Sequence, residues 1–222
     1  MSTVIAVPVK DLVNAKQRLI PVLSPPERSA LARAMLEDVL DALAGSQLGE
    51  VLVVTRDPAV GALAKRRGAS TLSEEVNRGH TEAVAHAQRE ALARGARRFL
   101  TLPGDVPCIT TDELHALADA LGEAAGVAFV PSLSGFGTNA ALLEPPDAMP
   151  LKFGEPSFDN HLVAARAAGL RPLVRRLPGI GLDIDGPEDL ALLLERGAST
   201  RSARLLGLLD VAARLSRRSP EP

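Results

Sequence analysis

The chain has 222 residues, 46% of them hydrophobic, with five Phe and no Trp or Tyr, and 25 basic against 27 acidic residues give a formal charge of −2. Its length suits one domain with an aliphatic, Ala-rich core, the composition of helices packed on a Val/Ile/Leu sheet. The near-neutral balance offers no overall field to draw DNA, RNA or anionic lipid, and the single Cys108 excludes an intramolecular disulfide and a multi-cysteine zinc site.

In chain order, the start MSTVIAVPVK lacks a basic region followed by a long apolar stretch, and no later apolar run approaches the roughly 18 residues that span a bilayer. The expectation is a cytoplasmic protein with neither a nucleic-acid nor a membrane partner. Residues 3–8 (TVIAVP) read as a buried first strand. The loop after it gathers Lys10, Asn14, Lys16 and Arg18, in a chain whose lysines are Lys10, Lys16, Lys65 and Lys152 alone. Cations beyond a strand's carboxyl end are well placed for a triphosphate; a solvated basic loop would look the same, and no GxxxxGK[ST] loop is present.

Ser24 can cap a helix whose first turn takes Pro25 and Pro26, with an apolar stripe of Leu31, Met35, Val39 and Ala42 and a stop at Gly45. Residues 50–55 (EVLVVT) predict a second strand, and Asp57-Pro58 opens a helix that Gly68 ends. Residues 81–94 are helical by the spacing of Ala83, Ala87 and Ala91, and residues 97–102 are a strand leading into Pro103-Gly104-Asp105-Val106-Pro107. Thr110 or Thr111 caps the next helix. Residues 126–131 and 139–143 predict strands around a Gly-rich turn, residues 145–156 a Pro-rich loop, residues 158–168 a helix, 171–177 a strand and 187–195 a helix. A last helix over residues 201–215 presents Leu205, Leu208, Leu209, Ala212 and Leu215, a face that suits the core and would also serve a homodimer. Residues 1–216 make one domain and 217–222 a flexible tail. The alternation of strand and helix predicts an α/β domain, a mostly parallel sheet with helices on both faces and ligands beyond the strand ends.

Asp105, held between prolines at a strand end, is a candidate Mg²⁺ ligand, or else a turn Asp bonded to its own backbone. Asp183 and Asp185 alternate along an extended segment and so share one face. Together the three can hold a divalent ion against phosphate oxygens, although Asp185 can also cap the helix that begins at Pro187. The four histidines are not at metal-pair spacing, and Cys108 reads as a small buried hydrophobe. Phosphoryl or nucleotidyl transfer needs no protein nucleophile, only alignment and charge neutralisation.

Five segments occur in a telling order: Pro8-Val9-Lys10 with Ala15-Lys16 and Arg18-Leu19; Pro103-Gly104-Asp105-Val106-Pro107; Gly137-Thr138-Asn139-Ala140; Phe153-Gly154 with Ser157-Phe158 and His161; and Leu182-Asp183-Ile184-Asp185. The chain thereby resembles the 2-phospho-L-lactate guanylyltransferase family of coenzyme F-420 biosynthesis. The resemblance implies a nucleotidyltransferase domain of the GT-A-like, nucleotide-diphospho-sugar transferase fold. It implies GMP transfer from GTP to 2-phospho-L-lactate, phosphoenolpyruvate or 3-phospho-D-glycerate, with loss of pyrophosphate. By position, Lys10, Asn14, Lys16, Arg18, Asn77, Gly79, Pro103 and Gly104 would hold the nucleotide, and Thr138, Gly154 and Ser157 the acid. Asp105, Asp183 and Asp185 would hold Mg²⁺, with Lys16 and Asp105 catalytic. Read alone, Thr138-Asn139 would suit a turn and Ser157 an N-cap. Asn77-Arg78-Gly79-His80-Thr81 stands where the family's base-lining segment is of Gly-Leu-Asn type, so Arg78 or His80 can touch the acceptor. A cytidylyl- or molybdopterin-type transferase and a non-catalytic nucleotide-binding regulator are the alternatives.

Overall fold

A computed structural model describes residues 2–73, 79–122 and 125–217. Strand β1 (Thr3–Pro8) runs through the middle of the sheet. Helix α1 (Pro25–Ser46) starts where Ser24 predicts, the Glu27 carboxylate accepting both the Ser24 amide (2.8 Å) and hydroxyl (2.9 Å). It passes through Gly45 and ends at Gln47, which takes the left-handed conformation (φ 52°) in place of the expected glycine. Strand β2 (Glu50–Val54) and helix α2 (Pro58–Arg66) follow, with Asp57 Oδ1 capping the Ala59 amide at 2.8 Å. Next come β3 (Ser70–Leu72), α3 (His80–Ala93), β4 (Arg98–Thr101), α4 (Thr111–Ala118), β5 (Gly126–Pro131) and β6 (Thr138–Glu144). Then come α5 (Ser157–Ala167), β7 (Leu173–Val174), α6 (Pro178–Gly181), α7 (Pro187–Arg196), α8 (Arg201–Leu208) and α9 (Val211–Ser216).

The seven strands lie in the order β3-β2-β1-β4-β6-β5-β7, and every neighbouring pair is parallel except those made by β6. Successive residues of β1 point to opposite faces. Ile5 and Val7 meet the apolar sides of α1, α2 and α4, while Val4 and Ala6 meet those of α3 and α5. Both faces are therefore covered, as the near-continuous apolar strands require. Two strands, β2 and β3, extend to one side of β1 and β4 begins the other, so the carboxyl ends of β1 and β4 flank the switch point where ligands bind in such sheets. Because β6 is antiparallel to β4, with Thr101 opposite Ala141, it is the beginning of β6 that reaches this end. Thr138 and Asn139 thus join a site otherwise assembled from loops that follow strands.

Two expectations are corrected, and one strand, β3, was not expected. The predicted strand over 171–177 shortens to two exposed residues at a sheet edge. β3, three residues long, is too short to show a periodicity. The predicted last helix is two: it breaks at Leu209-Asp210, where Asp210 has φ 51°. The break changes the buried face, so Leu206 and Val211 are fully buried in a third apolar cluster against α1 and α7 while Leu208 is 86% exposed. Asp38 of α1 anchors the start of α8, accepting from the Arg201 amide (2.8 Å) and the Ser202 amide (2.9 Å) and hydroxyl (2.6 Å). The expected tail is described only at Arg217; residues 218–222 lie outside the described residues.

Candidate active site

The loop from β1 to α1 is pinned by its apolar residues and turned by a strained one. Leu12 and Leu19 are buried, and Asp11 Oδ1 accepts the Asn14 amide at 2.8 Å. Lys16 has φ 56°, a left-handed conformation that costs a non-glycine residue on the order of 1 kcal/mol or more. The turn delivers its ammonium group to two carboxylates, Asp105 Oδ2 at 2.5 Å and Asp185 Oδ1 at 2.9 Å. Only 9% of the Lys16 side chain is exposed. Burial alone would lower its pKa, but Asp105 and Asp185 reverse this and hold it raised, so the group is cationic. Arg18 stands further out, 3.8 Å from Asp185 and 76% exposed.

Asp105 follows β4 across a tight approach. A Cβ on Gly104 would lie 3.2 Å from both Leu36 and Val9, so glycine lets the strand end pack under the loop. The Asp105 carbonyl accepts the Ile184 amide at 3.1 Å, which joins the two acidic loops through their backbones. Asp105 Oδ1 is buried with no hydrogen-bond partner. Asp185 does not cap α7: the N-cap is Gly186, and Asp189 reaches back to the amides of Asp185 (2.9 Å) and Gly186 (2.7 Å). The Asp185 carboxylate is thereby left for Lys16. Burial raises its pKa, yet Lys16, with Arg18 behind it, outweighs burial and holds it below the ordinary value. Asp183 goes the other way, pushed up by burial and by its charged neighbours Asp105 and Asp185, against a hydrogen bond from Asn139 Nδ2 (3.0 Å).

Two cavities meet here. One, of about 310 Å³, is lined by Pro8, Lys10, Asn14, Lys16, Gly104 and apolar Val9, Leu12 and Met35. The other, of about 290 Å³, is lined by Thr138, Asn139, Gly154, Ser157, Asp183 and Asp185. His80, Pro103 and Asp105 line both. Gly79, with φ 96°, lines a smaller recess beside Lys10. Asn77 and Arg78 lie outside the described residues. The site residues expected from sequence that the structure describes therefore gather at one end of the sheet, except that Arg18 stays at the rim. Among the described residues no three carboxylate, imidazole or thiol groups close on a single point as an ion's ligands do. Asp105, Asp183 and Asp185 share a cavity wall, with the Lys16 ammonium between two of them.

On the second cavity's wall, Thr138 is a strand residue rather than part of a turn, and Ser157 is the first residue of α5, not its N-cap. Ser157 Oγ accepts the Thr138 amide at 3.0 Å, and Thr138 Oγ lies 2.9 Å from His161 Nδ1. Asn139, not singled out as a site residue from sequence, holds the acidic loop: its Nδ2 lies 3.0 Å from the carbonyls of Ile180 and Gly181 as well as from Asp183. Thr81 and His80 brace the loop carrying Gly154: Thr81 Oγ accepts the Phe153 amide at 3.0 Å, and the His80 and Phe153 rings pack edge to face at 4.5 Å. Burial pushes the Cys108 thiol up to about 11, which keeps it in the protonated form.

A family model described as "Guanylyl transferase CofC like" matches residues 3–221. The chain is 43% identical over 197 residues to the phosphoenolpyruvate guanylyltransferase of Rubrobacter xylanophilus, covering 89% of this chain and 96% of that one. It is 36% identical over 219 residues to the 2-phospho-L-lactate guanylyltransferase of Methanothermobacter thermautotrophicus, covering 99% and 96%. Among solved structures, a protein described as a nucleotide-diphospho-sugar transferase from Desulfovibrio desulfuricans G20 superposes with a TM-score of 0.78 over 98% of both chains; at 20% identity it shows the fold alone.

Proposed function

The chain belongs to the CofC-like guanylyl transferase family, and from that premise we propose that it transfers GMP from GTP to phosphoenolpyruvate with release of pyrophosphate, a step of coenzyme F-420 assembly. The observation that carries the reading is the meeting of a cation-lined cavity and a hydroxyl-lined cavity at Asp105. GTP occupies the first, with Lys10, Lys16 and Arg18 facing its phosphates, Asn14, Pro103 and Gly104 against the nucleoside, and Gly79 beside the base. The acid occupies the second, on Thr138, Ser157 and the backbone of Gly154.

An oxygen of the acceptor's phosphate attacks the α-phosphorus of GTP. A new P–O bond forms, the bond from the α-phosphorus to the bridging oxygen breaks, and pyrophosphate leaves with the electron pair. The acceptor phosphate is already ionised at neutral pH, so no protein group must remove a proton. The chain's contribution is to hold the two anions in line and offset their repulsion. Lys16 suits that task because its charge is secured by two carboxylates while one of its three N–H donors remains beyond those bonds.

By donor type the residues present suit Mg²⁺, although the three carboxylates do not close on one point and Lys16 lies between two of them. The unpartnered Asp105 Oδ1, with Asp183 and Asp185 on the same wall, offers the hard oxygen donors that ion takes. When bound it would neutralise charge developing on the phosphates. The choice of phosphoenolpyruvate follows the acceptor named for the Rubrobacter relative. To test the assignment, the protein is incubated with Mg²⁺, each ribonucleoside triphosphate and each of phosphoenolpyruvate, 2-phospho-L-lactate and 3-phospho-D-glycerate, following pyrophosphate. Release is expected to be fastest with GTP and phosphoenolpyruvate. The acceptor assignment fails if another acid is preferred, and the enzyme reading fails if no pair exceeds background.

A further inference from the structure

His161 is 1% exposed and touches the acceptor cavity only through its neighbours. Its Nε2 accepts the Lys152 backbone amide at 3.0 Å. A backbone N–H can only donate, so Nε2 carries no proton. Burial lowers the imidazole's pKa to about 4, and the ring is neutral at physiological pH. Its one proton is therefore on Nδ1, which faces Thr138 Oγ at 2.9 Å. The ring cannot turn to another arrangement cheaply, since it stacks on Phe129 at 5.4 Å and meets Phe153 edge-on at 5.1 Å.

We infer that His161 is a positioning residue that sets the hydrogen-bond polarity of the acceptor pocket. Resting on the reading of that cavity as the acid's site, the inference runs through Thr138. Its oxygen is committed to accepting from Nδ1–H, so its own hydrogen serves as a donor to the acid's carboxylate or phosphate. Ser157 is committed in the same sense by the Thr138 amide. Each hydroxyl thus accepts one protein N–H and keeps its own hydrogen to donate, as an anion requires. The other ring nitrogen holds the strand of loop beside Gly154, so one imidazole aligns both walls.

Two measurements test this. Long-range ¹H–¹⁵N spectra of the free wild-type protein between pH 6 and 8 should show His161 Nδ1 as the protonated nitrogen and Nε2 as the unprotonated one; the reverse pattern would overturn the assignment without touching the functional reading. In kinetics, His161→Phe keeps a flat ring against Phe129 but donates nothing. Its KM for the phospho-acid should rise about tenfold or more, the loss expected for one hydrogen bond on a charged ligand, with KM for GTP changed less than about threefold. His161→Asn, whose amide can donate where Nδ1 does, should recover most of the loss. Thr138→Val should raise the same KM, and the double variant should be no worse than either single one. Additive losses, or equal rises in both KM values, mark a merely structural histidine and sink the proposal. Absence of wild-type turnover with every acid sinks the functional reading, and the role in acceptor binding with it.

Discussion

Asp105 is the residue on which both cavities depend, and its two oxygens are in different situations. Oδ2 receives the Lys16 ammonium at 2.5 Å, while Oδ1 is buried without a partner. Asp105→Asn keeps the volume and one acceptor but removes the charge. Turnover should fall by at least about 10²-fold, the scale of removing one electrostatic group aimed at a transferring phosphate, while the melting temperature moves by only about 2 to 4 °C. Near wild-type turnover would take Asp105 out of the chemistry. The sequence marked Lys16, Asp105, Asp183 and Asp185 because strand-end loops that carry charge are few in this chain. Asn139 was less visible as a site residue, because what it holds, the carbonyls of Ile180 and Gly181, lies some forty residues away in the chain and is brought near only by the fold. The conformation of Lys16 was equally hidden, since nothing in an Ala-Lys-Gln run announces a positive φ.

Among elements, the C-terminal helices are held by an apolar cluster and by polar ties to α1: Arg201 and Ser202 of α8 to Asp38, and Arg214 of α9 to Glu27. Arg214 of α9 reaches the Glu27 carboxylate in two bonds of 2.9 and 3.0 Å, at the start of α1. The Arg214 bond, supported by the Ser24 amide, holds Glu27 down to about 2. A depressed carboxylate contributes stability that is complete above the ordinary value near 4.5 and is lost as pH falls towards 2. Glu27→Gln should therefore lower the melting temperature at pH 7 by about 2 to 4 °C, the scale of one lost cap. The gap should close as the pH drops towards 2, and a gap independent of pH would remove the ion pair from the account. In the same region, Leu206→Ala should cost about 2 to 5 kcal/mol in urea unfolding, the range for a buried leucine, while Leu208→Ala should stay within about 0.5 kcal/mol. Equal costs would mean that the α8 face is misassigned. That face could not be read from the sequence because an unbroken helical period was assumed across Asp210. Strands β1, β2, β4, β5 and β6 were legible because each is a run of apolar residues bounded by turn residues; β3, an edge piece of three residues, was not, and β7 was read as a strand but several residues too long.

For the whole molecule, the reversal of strand order at β1 and β4 and the single antiparallel strand β6 together bring two differently lined cavities to one carboxylate. The sheet class was readable from the alternation of elements. The direction of β6 was not, and it is this direction that turns a strand's first residues, Thr138 and Asn139, into the wall of a site. No helix among the described residues is long and apolar enough to cross a membrane. The account's central claim is that the phosphate of a three-carbon acid in one cavity attacks the α-phosphorus of GTP in the other. The most direct test is the ³¹P NMR spectrum of the product formed from GTP, phosphoenolpyruvate and Mg²⁺. Two mutually coupled phosphorus resonances of a diphosphate joining guanosine to enolpyruvate, beside free pyrophosphate, are the predicted result; GMP with unreacted phosphoenolpyruvate, or no change in GTP, would contradict it.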